Sequence, residues 1–218
     1  DCTGSPRKLR DDWMRAPTRP FLYLEGFYEG EHDTSPTCLR SQAYWALLGG
    51  AMGHCFGNRP MWDFWNGWQA ALESTGSFSM RHFQALLKSR DQAQLVPDWN
   101  HEVLTAGYGS LDDGSYAACA RAADGHTVIV YTPERRSLTV DMTRISGSEA
   151  QIWWYDPSDG TTMFAGSVPT AGTREYTPPF AGDWVLVLDD ASLELPAPGE
   201  GFGVPRVTTG IIKARYVP

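Results

Sequence analysis

The apolar positions of the chain obey two different rules, one before and one after roughly residue 97. In the first part, Pro20-Phe21-Leu22-Tyr23-Leu24 is apolar at consecutive positions and ends in Glu25-Gly26-Phe27-Tyr28-Glu29-Gly30. Such a run predicts a strand buried on both faces, here over 20–25, that delivers carboxylates to its mouth. Before it, Leu9, Trp13 and Met14 among charged neighbours predict the last turns of an amphipathic helix ending at Pro17. After it, Ser35-Pro36 supplies an N-cap and a proline for the first helical position, and Tyr44, Leu47, Leu48 and Ala51 recur at helical spacing. The small-residue run from Ala51 through His54 to Gly57 predicts a second buried strand, which completes a strand–helix–strand unit with parallel strands. Three tryptophans, Trp62, Trp65 and Trp68, crowd the next loop among polar side chains. A helix from about Ser77 to Arg90, with Met80, Phe83 and Leu87 on one face, and then Leu95-Val96-Pro97-Asp98, close this part.

From Trp99 the pattern changes to short strands punctuated by turns. Strands are expected at 115–123, 126–132, 137–142, 150–155, 161–165, 173–177 and 183–189, with Asp-Asp-Gly, Ala-Asp-Gly and Asp-Pro-Ser-Asp-Gly between several of them. Seven strands with no helical period between them predict an antiparallel β-sandwich with its own aromatic core. The chain therefore divides into 1–97, α/β; 98–190, all-β; and 191–218, where Leu195-Pro196-Ala197-Pro198-Gly199-Glu200-Gly201 reads as a linker or loose tail.

Composition excludes several classes. A formal charge of −8 with only three lysines leaves no basic stripe for phosphates, so nucleic acid is not an expected partner. No apolar run approaches the ~18 residues that would span a bilayer. The four cysteines, Cys2, Cys38, Cys55 and Cys119, form no Cys-x-x-Cys pair and are read as buried free thiols, with neither a zinc site nor a disulfide framework. The five histidines have no metal-ligand spacing, and neither a metal nor another cofactor is expected.

The chemistry left is carboxylates, aromatics and His54. In a parallel α/β sheet, reacting groups sit at the C-terminal ends of strands, which is where Glu25 falls. The plainer reading of Glu25 and Glu29 is two solvated loop residues. The tryptophan loop suits sugar rings, whose C–H faces stack on indoles, or it staples the loop to the core. Glycoside hydrolysis needs two carboxylates, and one is visible.

Several stretches together resemble the apiosidase-like glycoside hydrolases, (β/α)8 barrels followed by a β-sandwich labelled collagen-binding. Glu25-Gly26-Phe27-Tyr28-Glu29 is similar to that family's Glu-Pro-x-Tyr-Glu signature after the seventh barrel strand, with Gly26 in place of proline. Residues 40–57, including Tyr44-Trp45, Gly50-Ala51 and Gly53-His54-Cys55-Phe56-Gly57, resemble the following helix and eighth strand, with Cys55 and Phe56 where the family writes Thr and Tyr. Trp62, Met80, Leu95-Val96-Pro97-Asp98, Trp153-Trp154-Tyr155-Asp156-Pro157, Pro178-Pro179 and Asp183-Trp184 continue the likeness. The resemblance implies a retaining glycoside hydrolase with Glu25 as nucleophile and Glu29 either orienting it or binding sugar; Tyr28 and His54 are expected around the substrate, and Trp62, just after the second strand on the side of Glu25, is expected to stack on a sugar ring. The resemblance also implies a secreted or periplasmic protein. A barrel needs about 250 residues, so this chain is expected to be its C-terminal fragment with the sandwich appended, lacking the N-terminal barrel segment and the acid/base residue, and inactive alone. The competing reading is a non-catalytic carbohydrate- or protein-binding module.

Overall fold

The computed structural model describes residues 5–201. Five helices come first: α1 (Ser5–Trp13), α2 (Pro36–Leu48), α3 (Arg59–Trp62), α4 (Trp68–Ala71) and α5 (Thr75–Lys88). Nine strands follow: β1 (Leu95–Pro97), β2 (Leu104–Ala106), β3 (Ala118–Ala122), β4 (Thr127–Thr132), β5 (Leu138–Asp141), β6 (Glu149–Tyr155), β7 (Thr162–Pro169), β8 (Thr173–Tyr176) and β9 (Trp184–Asp190). The helix starts follow local chemistry. Ser35 and Ser74 cap α2 and α5 by accepting from Cys38 N–H and Ser77 N–H, with Pro36 in the first turn of α2.

The strands form two antiparallel sheets, a six-stranded one ordered β1-β3-β4-β9-β6-β7 and a three-stranded one ordered β2-β5-β8. All seven expected strands are present. Two strands are additions: Leu104–Ala106, which pairs with β5, and Leu95–Pro97, which pairs with β3 as an edge of the large sheet (Val96 opposite Arg121) instead of closing the helical part. β4 and β9 are buried along their whole length. Their alternate side chains divide between two cores. Val128, Val130, Leu186 and Leu188 meet Leu104, Leu138 and Val140 of the small sheet. Ile129, Tyr131, Val185 and Val187 meet Tyr44, Trp45 and Leu48 of α2 and Phe83, Leu86 and Leu87 of α5. The large sheet is thus the middle of three layers. Tyr44 stacks face to face on Tyr131 at 4.5 Å, and Phe83 meets the Tyr44 ring edge-on at 4.8 Å.

Two buried ion pairs tie the helices to that sheet. Arg40 of α2 donates from Nε and Nη2 to the two oxygens of Asp183, each at 2.7 Å, and Tyr131 Oη donates to the same carboxylate at 3.1 Å. Beyond α5, Arg90 Nε lies 3.0 Å from both oxygens of Asp189, which also accepts from Thr127 Oγ1 at 2.7 Å. Residues 195–201 are not a loose tail. Pro196 O accepts from Arg90 Nη2 at 2.8 Å, Gly199 N–H donates to Ser89 Oγ at 2.9 Å, and Pro198 is buried. The rest of the expected tail, 202–218, lies outside the described residues.

The parallel unit forms, but not as two buried strands. Residues 20–25 and 51–58 run side by side as extended segments: Met52 N–H bonds Phe21 O at 2.9 Å, Tyr23 N–H bonds Gly53 O at 3.0 Å, and Cys55 N–H bonds Tyr23 O at 3.0 Å. Only isolated parallel bridges result, Tyr23 with His54 and Glu29 with Asn58. Phe21, Tyr23 and Phe27 pack toward the helices. Leu22 and Leu24 are 50% and 62% exposed, and Met52 is exposed as well. The expectation of burial on both faces fails because, among the described residues, no further strand flanks the pair. The cysteines depart from expectation too: Cys119 is a buried free thiol, Cys55 is an exposed one, and Cys38 is disulfide-bonded.

Candidate active site

A cleft of about 530 Å³ opens where the segment 20–25 turns away from its partner. Tyr23, Glu25, Phe27, Tyr28, Glu31, His32 and Trp62 line it. Glu25 is exposed there, with Tyr28 Oη 3.5 Å from its Oε1. Loss of water around the phenol, and then the nearby Glu25 carboxylate, raise the Tyr28 pKa. The phenol therefore keeps its proton through neutral pH and serves as a donor to Glu25. Tyr28 can lie over the neighbouring segment because residue 57 is glycine; a Cβ there would sit 2.2 Å from the Tyr28 ring.

Trp62 closes the cleft from the tryptophan loop and is 61% exposed. Phe64 and Trp65 are exposed as well, so these aromatics do not staple the loop into the core. Arg59 stands over the Trp65 ring at 4.5 Å and holds Glu31 at 3.3 Å, which fixes the base of the loop.

Glu29 and His54 are not brought into the cleft lining. The Glu29 carboxylate accepts from Asn58 Nδ2 at 2.8 Å, from the Ser74 hydroxyl and from Gly76 N–H at 2.9 Å. It is a latch onto the first turn of α5, and Gly76 leaves room for it, since a Cβ there would lie 2.7 Å from Glu29 Oε2. His54 stacks on Tyr23 with ring centroids 5.6 Å apart, and its Nε2 is buried without a partner. Burial lowers its pKa from 6.5 to about 4. The unfolded chain thus binds more protons than the folded one between these values, and stability falls as pH drops from about 6.5 toward 4. His54→Phe is expected to flatten that part of the profile in melts between pH 4 and 7; an unchanged slope would mean that the imidazole is charged in the fold.

Three residues near the site carried no signal strong enough to single them out. Glu31 and His32 sit in a turn, and His32 (φ 49°) takes a left-handed conformation that a side chain rarely favours. Gln42 is almost fully buried in α2 and grips the loop after Glu25. A run of polar residues, Arg40-Ser41-Gln42, inside an otherwise apolar helix was its only mark. Among the described residues, no group of three or more His, Cys, Asp or Glu side chains is arranged to hold a metal ion. No described helix is long and apolar enough to cross a membrane.

The architecture, an α/β segment with a carboxylate cleft packed on an all-β unit, coincides with two family matches. Residues 3–94 match the family described as "apiosidase-like, catalytic domain", and residues 100–189 match that described as "putative collagen-binding domain of a collagenase". The first part of the chain is thus similar to an apiosidase-like catalytic domain and the second to that β domain. Its fold is similar to a solved structure described as a glycoside hydrolase, at 24% identity and a TM-score of 0.76, over 87% of this chain and 46% of the other. It is equally similar to a glycoside hydrolase family 5 protein from Bacteroides vulgatus, at 24% identity and a TM-score of 0.75, over 87% and 45%. The chain spans just under half the length of either structure. A comparison with curated proteins gives no match.

Proposed function

We propose that this chain is the C-terminal part of a secreted or periplasmic glycoside hydrolase that cleaves a side chain from a polysaccharide by a retaining mechanism. In this reading residues up to 94 carry the last two strands of a (β/α)8 barrel, and residues 95–190, with β1 at the edge, are the appended sandwich. The single observation that carries the proposal is Glu25, an exposed carboxylate at the end of a parallel segment, beside a phenol donor and facing an exposed indole across one cleft. The exposed Leu22, Leu24 and Met52 support it as well, because they form the apolar flank that neighbouring barrel strands would cover.

Glu25 attacks the anomeric carbon while an acid from the absent barrel segment protonates the leaving oxygen, and water then hydrolyses the glycosyl ester. Trp62 provides the stacking platform. Tyr28 holds the Glu25 carboxylate in orientation through the attack. The test is covalent: an activated fluoro-glycoside given to the full-length enzyme should label Glu25, with the adduct located by mass spectrometry. Labelling of Glu29 would reverse the assignment. A full reading frame with no acidic residue after a fourth upstream strand would favour a non-catalytic binding module.

A further inference from the structure

We infer that Gln42 is a positioning residue that fixes the reactive geometry of Glu25, an inference that rests on the catalytic reading above. Gln42 lies in the middle of α2 and is 1% exposed. Its side-chain amide bonds one residue twice: Oε1 accepts from Phe27 N–H at 2.9 Å, and Nε2 donates to Phe27 O at 2.7 Å. The amide thereby imitates the neighbouring strand that the loop lacks at this point. Residue 26 presses directly on the clamp, since a Cβ there would lie 2.2 Å from Gln42 Oε1 and 2.7 Å from the Tyr23 ring.

The clamp therefore falls within two residues of Glu25 on one side and one residue of Tyr28 on the other. At the far end Glu29 is latched to Asn58, Ser74 and Gly76. On the near side of Glu25, Tyr23 N–H bonds Gly53 O and Tyr23 O accepts from Cys55 N–H, each at 3.0 Å. Between that pairing and the anchors at Phe27 and Glu29 the backbone has little freedom, and the approach of Tyr28 Oη to Glu25 Oε1 follows from where they hold it. A nucleophile displaced by about 1 Å can lose on the order of 10²-fold in rate, so a buried amide that never touches substrate still governs the chemistry.

The test uses two variants in the full-length enzyme. Gln42→Met keeps the volume and removes both bonds; Gly26→Ala leaves Gln42 intact and drives the loop off it. Each should lower kcat at least tenfold with KM within about twofold, and each should speed exchange of the Phe27 amide hydrogen at least tenfold. If Gln42→Met fails to fold, Gly26→Ala decides. Unchanged Phe27 exchange, or a loss confined to KM, overturns the inference. Retained activity in a Glu25→Gln enzyme would instead remove the catalytic reading, while Phe27 exchange would still report on the clamp.

Discussion

Glu25→Gln in the full-length enzyme is expected to lower kcat by about 10⁴-fold or more, a loss of roughly 5 kcal/mol of transition-state stabilisation. Glutamine matches the shape of glutamate, so the cleft and the Tyr28 contact survive, but the amide cannot form the glycosyl ester. Glu29→Gln should behave differently. Its carboxylate faces the Ser74 hydroxyl, the Asn58 amide and the Gly76 N–H, so an amide NH₂ there meets donors with a donor. The expected outcome is a lower melting temperature and a modest loss of rate. Full activity of Glu25→Gln beside an inactive but stable Glu29→Gln would exchange their roles.

Arg90→Met is expected to cost about 3–5 kcal/mol of stability, because it strands Asp189 in the middle layer. The pair is fully buried, with Arg90 Nη2 2.9 Å from Asp189 Oδ2. Burial, only partly offset by Arg90 and Thr127, already raises the Asp189 pKa above the ordinary aspartate range. A carboxyl raised in the folded state favours folding while protonated, and that contribution is lost as pH rises from the unfolded value through the folded one. Without Arg90 the window extends further upward, so the deficit of Arg90→Met should shrink on acidification. Adding Asp189→Asn should recover part of the loss at neutral pH. Denaturant titrations check this, and a deficit under about 1 kcal/mol at neutral pH would mean that the pair is not the bolt the geometry describes.

One signal in the sequence had two outcomes. Consecutive apolar residues predicted burial on both faces for 20–25, while the equally continuous runs Thr127–Tyr131 and Trp184–Leu188, read only as sandwich strands, are the ones buried throughout. The run at 20–25 is not, since burial depends on what lies alongside and the pattern names no neighbour. The start of α2 and the seven strands were legible because the Ser35 cap, Pro36 and Asp-Gly turns act locally, whereas the Ser74 cap starts α5 two residues before the expected Ser77. The partners of Arg40 and Arg90 lie 143 and 99 residues away and left no local trace. Of the candidate site, Glu25, Tyr28 and Trp62 meet in one cleft as their positions after adjacent parallel segments require. Glu29 and His54 share the sequence neighbourhood but not the cleft lining, because Glu29 is drawn to Asn58, Ser74 and Gly76 and His54 stacks on Tyr23, contacts that spacing does not encode.

The short strand β1 lies in the gap between the two family matches, 3–94 and 100–189, and hydrogen-bonds into the sheet of the second. A genetic crossover in that gap would trade more than one bead on a string. It would separate Asp183 from Arg40 and Asp189 from Arg90, and it would part Ile129, Tyr131, Val185 and Val187 from the helical side chains they pack against. Recombination between relatives should therefore succeed when both parts travel together, and the two segments should be inherited as a single unit.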